Sequence, residues 1–239
     1  MPTVDDLKIK IFADGADLEG IAKLAKDPLI KGFTTNPTLM AKANGAMVYE
    51  EFAREVLEAV DGKAVSFEVF SDEFDDMERQ ARLISSWADN VYTKVPVTNT
   101  RGESSGELIR KLAADGVKLN VTALMTPAQA SDVAACLKDG PESIISVFAG
   151  RVADTGRDPV PLMTEALEAL SPYSNVELLW ASPREILNIV QADEVGCHII
   201  TVTHDVLAKL PTLGKDLDEF SLDTVKMFHD SAQSAAFTL

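Results

Sequence analysis

A single lysine lies in the middle of a strand-forming run, VYTKVPV at residues 91–97. Successive residues of a strand alternate between its faces, so Lys94 shares one face with Tyr92 and Pro96. On the inner face of a central strand the lysine would be enclosed in a dry cavity, where desolvation favours a neutral amine that can attack a carbonyl. The alternative is a lysine at a strand end whose ammonium group reaches to water.

Further polar residues collect where predicted strands end, often two positions apart and therefore on one face. They are Asp14, Thr34, Asn36, Ser66, Glu68, Asn120, Thr122 and Ser146, followed in later loops by Arg151, Ser182 and Arg184. Taken singly, Asn36 and Ser182 could be helix N-caps and Arg151 a solvated loop charge. Glu68 is less easily explained, because a buried carboxylate needs partners. Together they describe an amine nucleophile, proton-transfer groups and an anion site.

Strand-like and helix-like segments alternate along the chain, which would bring these residues together. The predicted strands cover about 8–13, 31–35, 64–70, 91–97, 117–122, 143–148, 176–181 and 197–203. The predicted helices cover about 17–27, 48–60, 73–88 and 103–115, begin near 126, 159 and 182, and include a short helix after the eighth strand and a last one at about 222–237. This pattern predicts one α/β domain over residues 1–239, a (β/α)8 TIM barrel with an extra C-terminal helix. The catalytic groups of such a barrel lie at the C-terminal ends of its strands.

Local signals predict where several helices begin and end. Asn36 precedes a proline, as an N-cap does before the first helical residue. Residues 126–129 (TPAQ) and 182–185 (SPRE) both match a capping box that opens a helix. Gly116 is the predicted end of the fourth helix. Residues 149–158, AGRVADTGRD, are expected to form a loop.

Composition excludes several classes of partner. The formal net charge of −16 disfavours nucleic acid and anionic membrane surfaces, although local arginines could still bind a small anionic substrate. Cys136 and Cys197 form no disulfide framework, and no signal-like or membrane-spanning apolar run is present, so a cytoplasmic setting is expected. His198 and His204 lie near one another, but their spacing is not typical of a metal site. No metal or cofactor is expected.

At this point the chain resembles the transaldolases of the short type that are related to fructose-6-phosphate aldolase. The motifs that carry the resemblance are FAD at 12–14, GFTTNPT at 32–38, VYTKVP at 91–96, NVT at 120–122, SVFAGR at 146–151 and ASPR at 181–184. They span nearly the whole chain and occur in the family's order. Nucleotide-binding glycine motifs are absent from the sequence.

The resemblance implies Schiff-base chemistry on sugar phosphates. It assigns the imine to Lys94, proton abstraction during cleavage to Asp14, and a water-mediated proton relay to Glu68 and Thr122. The residues that would bind the three-carbon unit are Thr34, Asn36, Asn120 and Ser146, and those that would bind the phosphate are Arg151, Ser182 and Arg184. The resemblance also implies that the enzyme is a homo-oligomer.

Two positions distinguish the branches of this family. The aldolase branch usually carries glutamine at the position of Glu68 and tyrosine at that of Phe148, so this chain is expected to transfer the three-carbon unit. The alternatives are an aldolase that releases free dihydroxyacetone and a sugar-phosphate-binding barrel without turnover. The sequence departs from the family pattern at Gly15, where a hydroxyl residue is common, and in the SPRE run, which leaves a sulfonate or an unusual sugar phosphate open as the anion.

The predicted C-terminal helix lies beyond the eighth strand–helix unit. Val225, Phe228 and Phe237 are apolar residues of this segment. Two arrangements are open: the helix packs against a neighbouring subunit, or it covers its own barrel.

Overall fold

Eight parallel strands close into a barrel in the computed structural model, which describes residues 3–36, 38, 40 and 48–235. The strands are β1 (Lys10–Asp14), β2 (Ile30–Thr34), β3 (Ala64–Glu68), β4 (Val91–Pro96), β5 (Leu119–Leu124), β6 (Ser143–Val147), β7 (Val176–Trp180) and β8 (Ile199–Thr203). Each strand pairs with the next, and β8 pairs with β1 to complete the ring. The predicted (β/α)8 fold is confirmed.

Helices follow the strands around the barrel. They are α1 (Leu18–Ala25), α2 (Tyr49–Ala59), α3 (Phe74–Ser85), α4 (Gly106–Ala114), α5 (Pro127–Leu137), α6 (Ala149–Asp154), α7 (Pro159–Leu170), α8 (Leu187–Val195), α9 (His204–Leu207) and α10 (Leu217–Ser234), with 3₁₀ turns at Val4–Asp6 and Leu210–Thr212. The capping box that opens α5 is formed as predicted, with Thr126 accepting from the Gln129 amide. Gly116, at a φ of 83°, follows the end of α4.

The side chains of β4 alternate between the two faces of the strand as predicted. Val91 and Val95 belong to the core between the strands and the helices, and the Thr93 hydroxyl donates to the Ala81 carbonyl of α3. Tyr92 packs on the inner face in a separate apolar cluster. That cluster contains Phe12, Ile144, Leu179, Ala181 and Ile199. Phe12, Tyr92 and Ile144 each precede a predicted site residue by two positions, so they fill the barrel beneath the site.

Three predicted elements differ from the structure. Residues 149–154 form a helix instead of a loop, because Ala149 and Val152 are buried and anchor the turn. The helix predicted to begin at Ser182 begins five residues later, at Leu187. The last helix begins at Leu217, earlier than the predicted residue 222. Pro37 and Phe237, which the sequence placed in helices, lie outside the described residues.

Neither cysteine takes part in a disulfide. Cys136 is half-buried and Cys197 is buried, and both are free thiols. Burial raises the pKa of the Cys197 thiol to about 12, so this residue is an inert part of the core. Among the described residues, no helix is both long and apolar enough to span a membrane.

Candidate active site

The carboxyl-terminal end of the barrel opens into a cavity of about 460 Å³. Its lining residues are Asp14, Thr34, Asn36, Thr38, Glu68, Lys94, Thr122, Ala123, Ser146, Phe148, Arg151, Ala181, Ser182 and Thr201. Of the residues selected from the sequence, all but Ser66, Asn120 and Arg184 are in this lining. The alternation of inward side chains on each strand brings them together, because all strands are parallel and end at the same rim.

Lys94 is buried inside the barrel and does not reach to bulk water. The residue is 6% exposed, and its Nζ lies 3.0 Å from Oε2 of Glu68, its register partner on β3. Nζ also donates to the main-chain oxygen of Thr35 at 2.9 Å. An ammonium group is not a nucleophile, so attack by this side chain on a carbonyl requires a neighbouring group that accepts a proton from it. Glu68 is within hydrogen-bonding distance to accept that proton.

Asp14 faces the same cavity from the end of β1. Its Oδ1 accepts a 2.7 Å hydrogen bond from the Thr34 hydroxyl, which also bonds Thr201 on β8. Burial raises the pKa of the Asp14 carboxyl, while the charge of Lys94 and the Thr34 hydrogen bond oppose that shift. A raised pKa makes the ionised carboxyl group a stronger base, which suits a residue that takes up and returns a proton in general acid–base catalysis.

A chain of hydrogen bonds lies beneath the cavity floor. Ser146 donates to Oδ1 of Asn120 at 2.6 Å, and Nδ2 of Asn120 donates to Ser66 at 3.0 Å. Asn120 is fully buried and lies beside Lys94 in the β4–β5 register. The predicted residue therefore supports Ser146 from behind and is not part of the cavity wall. Such a satisfied network fixes the orientation of each side chain in it.

Thr122 differs from these residues because its hydroxyl is buried and makes no hydrogen bond within the described part of the chain. An unsatisfied buried hydroxyl is costly, and the cavity that Thr122 lines is where a water molecule or a substrate oxygen could satisfy it. The next residue, Ala123, has a positive φ of 67° and also lines the cavity. This conformation lies at the irregularity in the β5–β6 register.

The two arginines predicted for the anion site have different environments. Arg151 lines the cavity from α6, and its guanidinium lies 5.1 Å from the centre of the Phe148 ring. Arg184 is paired with Asp154, with Nε 3.1 Å from Oδ1, and is not part of the lining. Arg151 is thus the arginine of the cavity wall.

Ser182 lines the cavity, but the prediction that it caps a helix is wrong. Its φ is 60°, in the left-handed region, and no helix begins there. The side chain of Asn188 instead accepts from the amides of Arg184 and Glu185 ahead of α8. Ser182 therefore does not mark a helix N-terminus that could bind an anion.

Gly150, the fifth residue of the SVFAGR motif, allows α6 to approach the chain at Ser182. The Gly150 amide donates to the Ala181 carbonyl at 3.2 Å. A Cβ on Gly150 would lie 1.5 Å from the Ser182 carbonyl oxygen. The glycine thus brings together Arg151, Phe148 and Ser182 at one wall of the cavity.

At Gly15 the sequence departs from the family pattern, and in the structure the space beside this glycine is occupied by His204, at the start of α9. A Cβ on Gly15 would lie 2.6 Å from Nε2 of His204, and one on Gly20 would lie 2.6 Å from Nδ1. The imidazole therefore fills the space that two side chains would otherwise take. Desolvation lowers the pKa of His204, against the opposing charges of Asp17, Asp14 and Asp205.

Sequence reasoning missed several contributions to the site. Thr201 was not selected, although it lies on the inward face of β8 and bonds Thr34. The Thr35 carbonyl, which accepts from Lys94, could not be inferred from a side-chain motif. Alternation along the eighth strand was the signal that could have identified Thr201.

Comparison with known proteins gives a consistent family match. The family model described as transaldolase/fructose-6-phosphate aldolase matches residues 11–239. "Probable transaldolase 2" of Listeria monocytogenes is 35% identical over 219 residues, covering 90% of this chain and 95% of that protein. "Probable transaldolase" of Thermoplasma volcanium is 34% identical over 227 residues, covering 93% and 98%.

Solved structures with the same architecture are more distant. Dihydrodipicolinate synthase from Rhodopseudomonas palustris superposes with a TM-score of 0.56 at 16% identity, covering 97% of this chain and 81% of that one. A mandelate oxidase superposes with a TM-score of 0.55 at 15% identity, covering 85% and 71%. At such identities the similarity concerns the barrel fold alone.

Proposed function

Because the chain belongs to the transaldolase/fructose-6-phosphate aldolase family, we propose that it transfers a dihydroxyacetone unit from a ketose phosphate to an aldose phosphate. Fructose 6-phosphate and sedoheptulose 7-phosphate are the proposed donors. The observation that carries the proposal is the buried Lys94, whose Nζ lies 3.0 Å from Glu68 in a polar cavity. The reaction needs no cofactor.

The first step forms an imine between Lys94 and the substrate ketone. Glu68 takes a proton from the ammonium, and the neutral amine adds to the carbonyl carbon. The carbonyl oxygen leaves as water as the carbon–nitrogen double bond forms. Thr122 and Glu68 hold the water molecule that carries protons in this step. The hydroxyl of Thr122, which has no partner in the described residues, is suited to that task.

The second step breaks the C3–C4 bond of the donor. Asp14 takes the proton of the C4 hydroxyl, the aldose leaves, and the bond's electron pair moves into the iminium to give an enamine on Lys94. The enamine then attacks the aldehyde carbon of the acceptor, Asp14 returns the proton, and hydrolysis of the new imine frees Lys94. The raised pKa of the Asp14 carboxyl supports its role as base and then acid.

Polar side chains of the cavity would hold the rest of the sugar. Thr34, Asn36 and Ser146 bind the hydroxyl groups of the three-carbon unit, and Asn120 orients Ser146. Arg151 and Ser182 bind the phosphate. Arg184 joins them only if its guanidinium leaves Asp154. A sulfonate offers the same oxygen acceptors as a phosphate, so both anions belong in a substrate screen.

Simple cleavage to free dihydroxyacetone is the second candidate function. Phe148 lines the cavity and has no hydroxyl to protonate the enamine, which favours transfer to an acceptor over release. Incubation with fructose 6-phosphate alone separates the two functions, since an aldolase accumulates dihydroxyacetone without an acceptor. A transaldolase accumulates product only when an aldose phosphate is added.

Borohydride trapping tests the mechanism directly. Reduction in the presence of fructose 6-phosphate is expected to attach the three-carbon unit to Lys94, as read by peptide mass mapping. Lys94→Arg keeps the charge but removes the nucleophile, because arginine stays protonated, and should abolish trapping and turnover. Labelling of another lysine while Lys94 stays unmodified would refute the assignment.

We also propose that the chain assembles as a homo-oligomer through α10. None of this helix's residues is buried, and Leu217, Val225 and Phe228 are exposed apolar side chains on it. Most of the stability of a helix in a protein comes from packing of its apolar face, and within one chain the apolar face of this helix is left unburied. A second copy of the chain is the proposed partner.

A further inference from the structure

Tyr49, the first residue of α2, packs against the core between the helices and the strands, and its hydroxyl bonds the main chain of Glu68. Its hydroxyl accepts from the Glu68 amide at 2.9 Å and donates to the Glu68 carbonyl oxygen at 2.9 Å. A hydroxyl carries one donor and two acceptor positions, so both bonds can form at once. Tyr49 is part-buried, and burial raises the pKa of the phenol well above its usual range, so it stays protonated.

The main-chain hydrogen bonds between β2 and β3 explain why the Glu68 main chain needs the Tyr49 hydroxyl as a partner. Strand β2 ends at Thr34, whose register partner is Ser66, and the Thr35 amide bonds the Ser66 carbonyl. Strand β3 continues for two more residues to Glu68. The register between β2 and β3 ends at Ser66, so a longer β2 would be needed to bond the Glu68 amide and carbonyl. The Tyr49 hydroxyl makes those two hydrogen bonds instead.

Both groups that hold the Lys94 amine are neighbours of Tyr49. Nζ of Lys94 is held by the Glu68 carboxylate at 3.0 Å and by the Thr35 carbonyl at 2.9 Å. The phenol of Tyr49 bonds the Glu68 main chain and also interacts with the side chain of Thr35. One hydroxyl thus ties together the ends of β2 and β3 at the point where they meet the lysine.

From this geometry we propose that Tyr49 is a positioning residue for imine formation, which acts through Glu68 and touches no substrate. The inference rests on the proposed function, because imine formation is the step in which Glu68 takes the Lys94 proton. Without the hydroxyl, the end of β3 loses two hydrogen bonds and the carboxylate loses its fixed distance to Nζ.

Tyr49→Phe is a specific test because the ring can keep its packing. The ring contacts Phe67, Phe70 and Trp87, with centroid distances of 6.4, 5.6 and 5.9 Å. The measurement is the single-turnover rate of borohydride-trapped imine with fructose 6-phosphate, per folded protein. A misplacement near 1 Å can lower a rate by about 10²-fold, so a loss of about tenfold or more is expected. Substrate affinity should change little.

Two further variants separate positioning from general stability. In a Glu68→Gln background, Tyr49→Phe should slow the reaction by less than about twofold, because residues that act through one group are non-additive. Thr93→Val removes another buried hydroxyl, which bonds the Ala81 carbonyl on the outer face of β4, and should leave the trapping rate unchanged. Equal losses from Tyr49→Phe in both backgrounds, or no loss in the parent, would overturn the proposal.

A crystal structure of Tyr49→Phe gives a readout that does not depend on the substrate. The Glu68 carboxylate is expected to move away from Lys94, beyond the parent separation of 3.0 Å. An unchanged Glu68–Lys94 pair would refute the positioning role. If the parent enzyme traps no sugar at all, the proposed function fails while this structural comparison still decides the role of Tyr49.

Discussion

Gly150→Ala should damage catalysis more than any other single-methyl change at the cavity. The added Cβ would lie 1.5 Å from the Ser182 carbonyl oxygen and 2.5 Å from its carbon. Comfortable contacts between carbon atoms lie at about 3.5–4.0 Å, so α6 and the chain at Ser182 must separate by about 2 Å. Both obstructing atoms belong to the main chain, and a side-chain rotation cannot relieve the clash.

The size of the effect of Gly150→Ala on stability and rate follows from the residues that lie on these two segments. Overpacking of this kind costs about 1–3 kcal/mol, which for a chain of this size lowers Tm by about 2–12 °C. Arg151 and Phe148 would move away from Ser182, and a displacement above 1 Å at substrate-positioning groups costs about 10²-fold in rate. We therefore expect kcat/KM for transfer between fructose 6-phosphate and an aldose phosphate to fall about 10²-fold.

Gly106→Ala is the matched control for this variant. Its added Cβ would meet only the Ser104 hydroxyl at 3.3 Å and the Cys136 sulfur at 3.5 Å, both ends of side chains, at the start of α4. Its Tm and kcat/KM should stay close to those of the parent. A Gly150→Ala enzyme with parental kcat/KM would refute the role of the α6–Ser182 contact in positioning Arg151, Phe148 and Ser182, whatever its Tm.

Three other perturbations test separate parts of the site. Asp14→Asn should abolish transfer yet raise Tm at pH 7.5, because burial raises the pKa of the Asp14 carboxyl, so its ionised form costs stability in the folded state. The stability that the protonated Asp14 carboxyl contributes is lost as pH rises through that raised pKa, so the Tm gain of Asp14→Asn should vanish near pH 3.8, the ordinary pKa of an aspartate. Thermal unfolding at pH 7.5 and pH 3.8 checks this, and an equal Tm gain at both would contradict it. Phe148→Tyr should increase free dihydroxyacetone made from fructose 6-phosphate without acceptor, since general acid help is worth about 10²–10⁴-fold. No increase in a folded variant would show that Phe148 is only a packing residue. The unpaired buried hydroxyl that the Phe148→Tyr variant carries would then lower its stability by about 1–3 kcal/mol. A chain that ends at Lys215 and so lacks α10 should contain fewer subunits by light scattering than the full chain, whose subunit mass is 25.8 kDa; an unchanged subunit number would rule out α10 as the contact.

Local sequence was sufficient for the barrel and for most of the cavity lining. Hydrophobic alternation gave the eight strands, and the same alternation put Lys94, Glu68 and Asp14 on inward faces. Parallel strands end at one rim, so residues from six or more strands could be assigned to one cavity without coordinates. Boundaries were less certain, as at α10, because fraying end turns carry few packing signals.

The errors arose where a distant segment overrides a local pattern. SPRE at 182–185 matches a capping box, but the Ser182 carbonyl packs on Gly150, and the left-handed φ of Ser182 excludes the helix start. Residues 149–158 were expected to form a loop, but burial of Ala149 and Val152 stabilises a helix over 149–154. Arg184 has the charge for an anion site, yet it pairs with Asp154, thirty residues away.

Residue types, alternation and order determined which groups could form the proposed Schiff-base site. The tertiary structure alone decided how those groups are held: Tyr49 on the main chain of Glu68, His204 in the space beside Gly15, and the Thr35 carbonyl on Lys94. These contacts join segments that are between 19 and 189 residues apart. Periodicity reports only which face a residue occupies, whereas hydrogen bonds and close contacts depend on the packing of the closed barrel.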